Sequence, residues 1–273
     1  MWGGGPVGDT PPALQTSFLI VGGQPSGKED QILRVILLPV SSYFAISEKG
    51  GREVNEDSIL ARPVGDFLVI GVADGLGGHA RGEVASRIAI GELDRIDAAA
   101  LSSNDPTALL LQVFASANAE IVRYNHEQGV NSGTTLIACI VSGNGECTIG
   151  NIGDSRASLI DRENSWHTKD HSYLQQLIDS GDLTERGAIR HPQSNIITRA
   201  LGLERGAVPD ICERDCAGKV LVLTSDGIHD FIEPDRFREL AMLPKIQEAA
   251  LALIDAAVFG GSTDNLSVIV CRP

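Results

Sequence analysis

Aromatic residues are scarce in this chain, at 4% of the sequence, and its apolar runs are short. No stretch reaches the ~18 consecutive apolar residues of a membrane-crossing helix. The start also lacks the basic region, apolar core and small-residue cleavage site of a secretory leader. A soluble protein without a membrane partner is therefore expected. Positive charge is in short supply as well: 22 Lys and Arg against 36 Asp and Glu leave a formal charge of −14. Phosphate backbones are met with Lys and Arg, so no nucleic-acid partner is expected. The five cysteines (Cys139, Cys147, Cys212, Cys216 and Cys271) are an odd number and scattered. They argue against a disulfide framework and for a reducing, cytoplasmic location. Cys212 and Cys216 frame CERDC with no second Cys or His pair at zinc-site spacing, and read as ordinary loop cysteines.

A length of 273 residues at 42% hydrophobic is enough to bury one substantial core. Residues 1–40 open with MWGGGPVGDTPP, too rich in Gly and Pro for regular structure, and continue with FLIVGG and ILRVILLPV. They read as an N-terminal extension to a single domain over 41–273. Within that domain, β-type runs occur at 43–47, 58–62, 66–73, 134–141, 146–152, 156–160, 219–224 and 266–271. Helical spacing places Val84, Ile88, Leu93 and Ile96 on one stripe over 81–98, and Leu110, Phe114, Ala117, Ile121 and Tyr124 on another over 107–127. Further helices are expected at 172–180 and 245–259. Residues 181–210 mix Gly, Pro and charge without period and read as a long ordered flap, a kind of segment that is commonly functional.

Three apolar runs end on an acid: LVIGVAD at Asp74, CTIGNIGD at Asp154 and VLVLTSD at Asp226. Gly75 and Gly227 follow two of them, where a missing side chain permits a sharp turn and close approach to a ligand. An Asp-Gly pair is also a common hairpin turn. Two further acidic features, Asn55-Glu56-Asp57 and Thr263-Asp264-Asn265, stand just before strands. Carboxylates gathered within ~5 Å repel by ~3 kcal/mol per pair at an effective dielectric near 20. Such a cluster calls for cations, and an all-oxygen set favours Mg²⁺ or Mn²⁺ over zinc. Arg52, three residues before Asn55, carries a planar fork suited to a phosphate; a surface arginine paired with a neighbouring acid is the plainer alternative.

Read in order, Arg52-Glu53-Val54-Asn55-Glu56-Asp57, Asp74-Gly75-Leu76-Gly77-Gly78-His79, Gly133-Thr134-Thr135, Gly153-Asp154-Ser155-Arg156, Ser225-Asp226-Gly227 and Thr263-Asp264-Asn265 resemble the metal-dependent protein phosphatase 2C family. HPQSNIITRALG at 191–202 is similar to the flap of stand-alone bacterial members. The resemblance implies an α+β fold, a four-layer αββα sandwich of two antiparallel β-sheets flanked by helices. It also implies a serine/threonine phosphoprotein phosphatase that acts through a metal-activated water. By the same resemblance Asp74 bridges two core Mn²⁺ or Mg²⁺ ions. Glu56 or Asp57 and the Gly75 carbonyl complete one ion, and Asp226 and Asp264 the other. Asp154 and Asp226 hold a possible third ion, and Arg52 grips the substrate phosphate, so that Arg52 and Asp74 are the catalytic residues. The expected partners are phosphorylated proteins made by serine/threonine kinases, and the expected state is a monomer.

The chain departs from many eukaryotic relatives at Leu76, where those carry a histidine proposed as general acid; His79 or a metal-bound water is left for that role. A catalytically inactive relative acting as a binding module would lack a metal carboxylate, yet Asp57, Asp74, Asp154, Asp226 and Asp264 are all present. An aspartyl-nucleophile phosphotransferase would want a second aspartate two residues after the first, where this chain has Leu76.

Overall fold

The structure is a computed structural model that describes residues 31–37, 42–77, 81–203 and 208–273, with backbone pairing alone for 31–37. The Gly/Pro-rich opening, the FLIVGG run and His79 lie outside the described residues. The first half contains β1 (Gln31–Leu37), β2 (Ser42–Glu48), β3 (Asp57–Val64), β4 (Phe67–Leu76), α1 (Gly82–Asp94), α2 (Ala98–Ser103) and α3 (Pro106–Gln128). Then come β5 (Gly133–Thr134), β6 (Leu136–Ser142), β7 (Glu146–Ile152), β8 (Arg156–Ile160), β9 (Ser165–His167), α4 (Tyr173–Ser180) and α5 (Glu185–Ala188). The chain closes with β10 (Asp210–Asp215), β11 (Val220–Thr224), α6 (Asp226–His229), α7 (Pro234–Ala241), α8 (Ile246–Phe259) and β12 (Leu266–Arg272).

Two antiparallel sheets result, one ordered β1-β2-β12-β11-β8-β9 and the other β10-β7-β6-β4-β3, with β5 pairing the end of β4. Their inner faces meet in a core that includes Tyr43, Leu68, Ile70, Ile137, Ile149, Leu221 and Ile269. On the outer face of the second sheet, α1 and α3 bury Leu93, Leu110, Phe114 and Ile121. On the outer face of the first, α6, α7 and α8 bury Ile228, Leu240 and Leu253 against Phe44, Val222 and Val268. The four-layer sandwich follows from strands that bury both faces and need a helical cover on each side. Gln31–Leu37, inside the segment read as an extension, runs antiparallel to β2 at the edge of the first sheet.

The helix over 82–94 buries a different stripe from the one its large residues suggest. Ala85, Ser86, Ala89 and Leu93 face the sheet, while Val84 and Ile88 are only partly covered. Small residues bring the helix close to β4: a Cβ on Gly71 would stand 2.5 Å from Leu93 Cδ2. Ile96 is buried beyond the helix end, after which a second short helix, α2, begins. The stripe expected on α3 holds apart from its last member. Tyr124 is half-buried and hydrogen-bonds Arg81, whereas Asn125 turns inward to hold Ser132.

Within 181–210, the described residues are tied on two sides. Thr134 bridges Leu201, and Thr198 N donates to His171 O. On the other side Arg190 N donates to Asp230 O, and Arg186 pairs with Asp235 at 2.9 Å. Cys212, expected in a loop, sits on the edge strand β10, and Cys216 just beyond it.

Candidate active site: a cluster of buried carboxylates

One end of the sandwich collects the acids. Asp57 opens β3 and is the direct cross-strand partner of Asp74 on β4. The strand continues past Asp74, because Gly75 and Leu76 pair with Thr134 and Gly133 of β5. Asp154 lies in the turn between β7 and β8, entered through Gly153 at φ 103°. Asp226 is the first residue of the short helix α6, preceded by Ser225, so it stands two residues beyond the end of the strand it was expected to finish. Asp264 precedes β12.

Glycine is required where these segments cross. A Cβ on Gly75 would fall 2.2 Å from the Gly82 carbonyl oxygen, and one on Gly227 would fall 2.1 Å from that of Asn265. The hydroxyls of the GTT segment then fix β4: Thr135 Oγ1 accepts from Asp74 N at 2.9 Å, and Thr134 Oγ1 donates to Asp74 O at 2.8 Å.

The carboxylates are poorly compensated. Asp57 Oδ2 accepts from Ser225 Oγ at 2.8 Å and Ser267 Oγ at 2.6 Å, but Oδ1 is buried without a partner. Asp154, 4% exposed, has neither oxygen partnered, and Asp226 Oδ1 is likewise unpaired. Burial pushes the Asp57 carboxyl up to about 7, against the pull of the two serine hydroxyls. Asp74 is raised well above the carboxylate range by burial first, then by Asp57, Asp226, Asp154 and Asp264. Asp154 is raised well above its ordinary value by burial and then by Asp226. Asp226 rises through burial and Asp264, while its hydrogen bond to Asp74 opposes the rise. Glu56, half-buried, also rises through burial, and a hydrogen bond from the Gly82 backbone moderates the effect.

The nearby cations are committed elsewhere. Arg156 gives Nε and Nη2 to the two oxygens of Asp170 at 2.8 and 2.6 Å. His229, buried and joined to Thr224 Oγ1 at 2.8 Å, is held well below its ordinary value by burial and Arg156, so it is neutral. Arg52 reaches in from solvent, with Nη2 2.6 Å from Asp264 Oδ2. It is in this respect the arginine paired with a neighbouring acid. Among the described residues no three His, Cys, Asp or Glu side chains close into a ready-made metal cage. The acids surround a common region rather than a point.

Two residues in the cluster were given no role from the sequence. Asp230, one helical turn after Asp226, is pushed up to about 7 by burial and Asp226, and accepts from Ser194 in the flap. Its spacing of four from Asp226 could have pointed to it, since such residues share a helix face. Asn265 Oδ1 accepts from Glu56 N at 2.8 Å, and its Nδ2 donates to Lys49 O at 2.8 Å and Val54 O at 3.0 Å. One amide thereby staples the segment carrying Arg52 and Glu56 to the start of β12.

A family model for protein phosphatase 2C matches residues 48–252. The chain is 36% identical over 236 residues to the serine/threonine protein phosphatase PstP of Mycobacterium tuberculosis, covering 85% of this chain and 45% of that protein. It thus spans about half the length of that relative. It is 32% identical over 210 residues to the serine/threonine phosphatase stp of Listeria monocytogenes, covering 74% of this chain and 83% of the relative. The crystal structure of the PstP catalytic domain in complex with 2 manganese ions superposes with a TM-score of 0.74 at 32% identity, over 85% of this chain and 98% of that one.

Proposed function

We propose, since this chain belongs to the protein phosphatase 2C family, that it is a metal-dependent serine/threonine phosphoprotein phosphatase with residues 41–273 as its catalytic domain and 1–40 as an extension whose strand Gln31–Leu37 adds to the edge of the first sheet. The observation that carries the reading is the set of buried carboxylate oxygens without partners on Asp57, Asp154 and Asp226, beside an Asp74 raised by burial and then by its acidic neighbours. Buried unpaired charge is costly enough that proteins avoid it or supply a counter-ion. All-oxygen donors fit hard divalent cations, and the residues present fit such a group.

Two core cations of the Mn²⁺ or Mg²⁺ class would supply Lewis acidity and activate a water for attack on phosphorus. Asp74 would contribute to holding both. Asp57 would hold one ion through its free Oδ1, its other oxygen being fixed by Ser225 and Ser267. Glu56 would assist at that ion directly or through water, with the Gly75 carbonyl beside it. Asp226 and Asp264 would hold the second ion, and Asp154 with Asp226 a third. Arg52 binds the substrate phosphate by exchanging the Asp264 carboxylate for phosphate oxygens, a bidentate geometry its fork already provides. Its charge then stabilises the negative charge growing on the equatorial oxygens. The substrates are proteins phosphorylated by serine/threonine kinases, and the enzyme acts as a cytoplasmic monomer.

Phosphate release from phosphoserine, phosphothreonine and phosphotyrosine peptides, with and without Mn²⁺, tests the assignment. Turnover of the first two, lost on chelation and restored by Mn²⁺, is expected. Turnover that survives chelation overturns the metal reading, and binding of phosphopeptide without turnover would establish the inactive alternative.

A further inference from the structure

All five cysteines of the chain gather in the core between the sheets, at the end away from the acids. β7 runs from Cys147 toward Asp154, and β12 runs from Asp264 toward Cys271, so the thiols and the carboxylates occupy opposite strand ends. Strand register gives the arrangement in detail. Cys147 lies opposite Val141 of β6 and Arg214 of β10, while Cys139 and Cys212 each lie opposite Ile149. Alternate residues share a face, so Cys139, Cys147, Cys212, Cys216 and Arg214 all look toward the first sheet. Cys147 and Cys216 are buried same-face neighbours on adjacent chain segments, since Cys147 lies opposite Arg214 and Cys216 follows two residues later, where its thiol reaches the Arg214 carbonyl at 3.9 Å. Cys216 N donates to Gly145 O at 2.8 Å, which continues the β10 pairing by one more rung.

The cluster has a cover. β9 and β10 are the edge strands of their sheets on the same side of the sandwich. Arg214 of β10 stacks over Trp166 of β9 with its guanidinium carbon 4.4 Å from the ring centroid, so the two side chains span the open edge in front of the thiols.

We propose that Cys147 and Cys216 are an oxidisable pair: a hydroperoxide that enters past Arg214 and Trp166 joins them in a disulfide that fastens β10 to β7. One thiolate attacks the terminal peroxide oxygen, the O–O bond breaks, an alcohol leaves (water, where the oxidant is hydrogen peroxide) and the sulfur becomes a sulfenic acid. The second thiol displaces water from that sulfur as the S–S bond forms. Two thiols and one hydroperoxide thus yield one disulfide, one alcohol and one water. A disulfide needs Cα atoms about 4.4–6.8 Å apart, and Cys216 follows an edge strand that can shift to meet this. Cys139 belongs to β6, flanked by β4 and β7, and cannot. At rest the pair is quiet. The Cys216 thiol is held above its ordinary range first by the neighbouring Cys147 and then by burial, so reaction awaits local lifting of β10. The bond would restrain the strand by which the chain returns from its flap, since Asp210 at the head of β10 takes Arg199 at 2.9 Å.

The test treats the folded full chain with hydrogen peroxide at neutral pH, alkylates the remaining thiols after unfolding, and maps the products by mass spectrometry. A single Cys147–Cys216 link, a raised thermal midpoint reversed by reductant, and several-fold faster formation in Arg214→Ala are expected. Cys216→Ser, which keeps size and shape, should form no link. Five intact thiols, over-oxidation to sulfinic acid without a link, or a link through Cys139, Cys212 or Cys271 overturns the pairing. Equal rates with and without Arg214 overturn the cover.

Discussion

The two ends of this sandwich bury opposite kinds of side chain, and the contrast separates function from packing. At one end the thiols of Cys139, Cys147, Cys216 and Cys271 are buried with each other and with aliphatic neighbours, which costs them little because a thiol is a small hydrophobe. At the other, Asp57 and Asp154 are buried, and they and the partly covered Asp226 carry buried oxygens that have no partner. Between them lies a control. Arg156 and Asp170 are themselves largely covered, yet they satisfy one another through two hydrogen bonds. Burial alone therefore does not mark the active end; unsatisfied burial does.

The contrast breaks most severely at the acids. Asp74→Asn and Asp264→Asn should each lower phosphopeptide turnover by about three orders of magnitude, the scale of losing a preorganised electrostatic group, while circular dichroism stays unchanged. Near-full turnover of either variant at saturating Mn²⁺ would remove that residue from the site. The control should fail differently: Asp170→Ala strands the Arg156 charge and should cost about 3–5 kcal/mol in denaturant unfolding, with Arg156→Met, Asp170→Leu together costing less. Asn265→Ala removes three hydrogen bonds and should destabilise by roughly 2–3 kcal/mol, raising the KM for phosphopeptide as Arg52 loses its footing. The smallest effect is in pH. Asp57 and Asp230 sit at about 7 in the folded protein against 3.8 for an ordinary aspartate. The folded state therefore keeps protons that the unfolded state releases, and stability falls as pH rises from about 4 through 7. In chelator the thermal midpoint should drop by several degrees across that window, and Asp57→Asn should flatten the slope.

Much of this was legible in the residues. Asp74, Asp154 and Asp226 announced themselves as acids at the exits of apolar runs, because a strand buried on both faces has little other reason to finish on a charge. The helices over 106–128 and 246–259 were readable from periodicity. The stripe on α1 misled because small residues, not large ones, face a sheet the helix approaches closely. β10 was missed because an edge strand reading DICERD is half-exposed and polar, with no alternation to find. α6 and α7 escaped because a four-residue helix reads as an Asp-Gly turn, and Pro234 looks like a breaker when it in fact occupies a first helical turn. Asn265 and the Arg156–Asp170 pair depend on contacts between distant segments, which one sequence does not display.

The amide of Asn265 has a consequence for transplantation. It binds the backbone at Lys49, Val54 and Glu56, while Gly50 passes so close to the Asp264 carbonyl that a Cβ there would stand 1.9 Å away. The arginine-bearing loop and the last acid are two halves of one part, made from chain segments more than two hundred residues apart. Either half grafted alone onto a related scaffold would arrive without the template that shapes it. Moved together, 49–57 and 263–267 constitute the smallest exchangeable piece of this site.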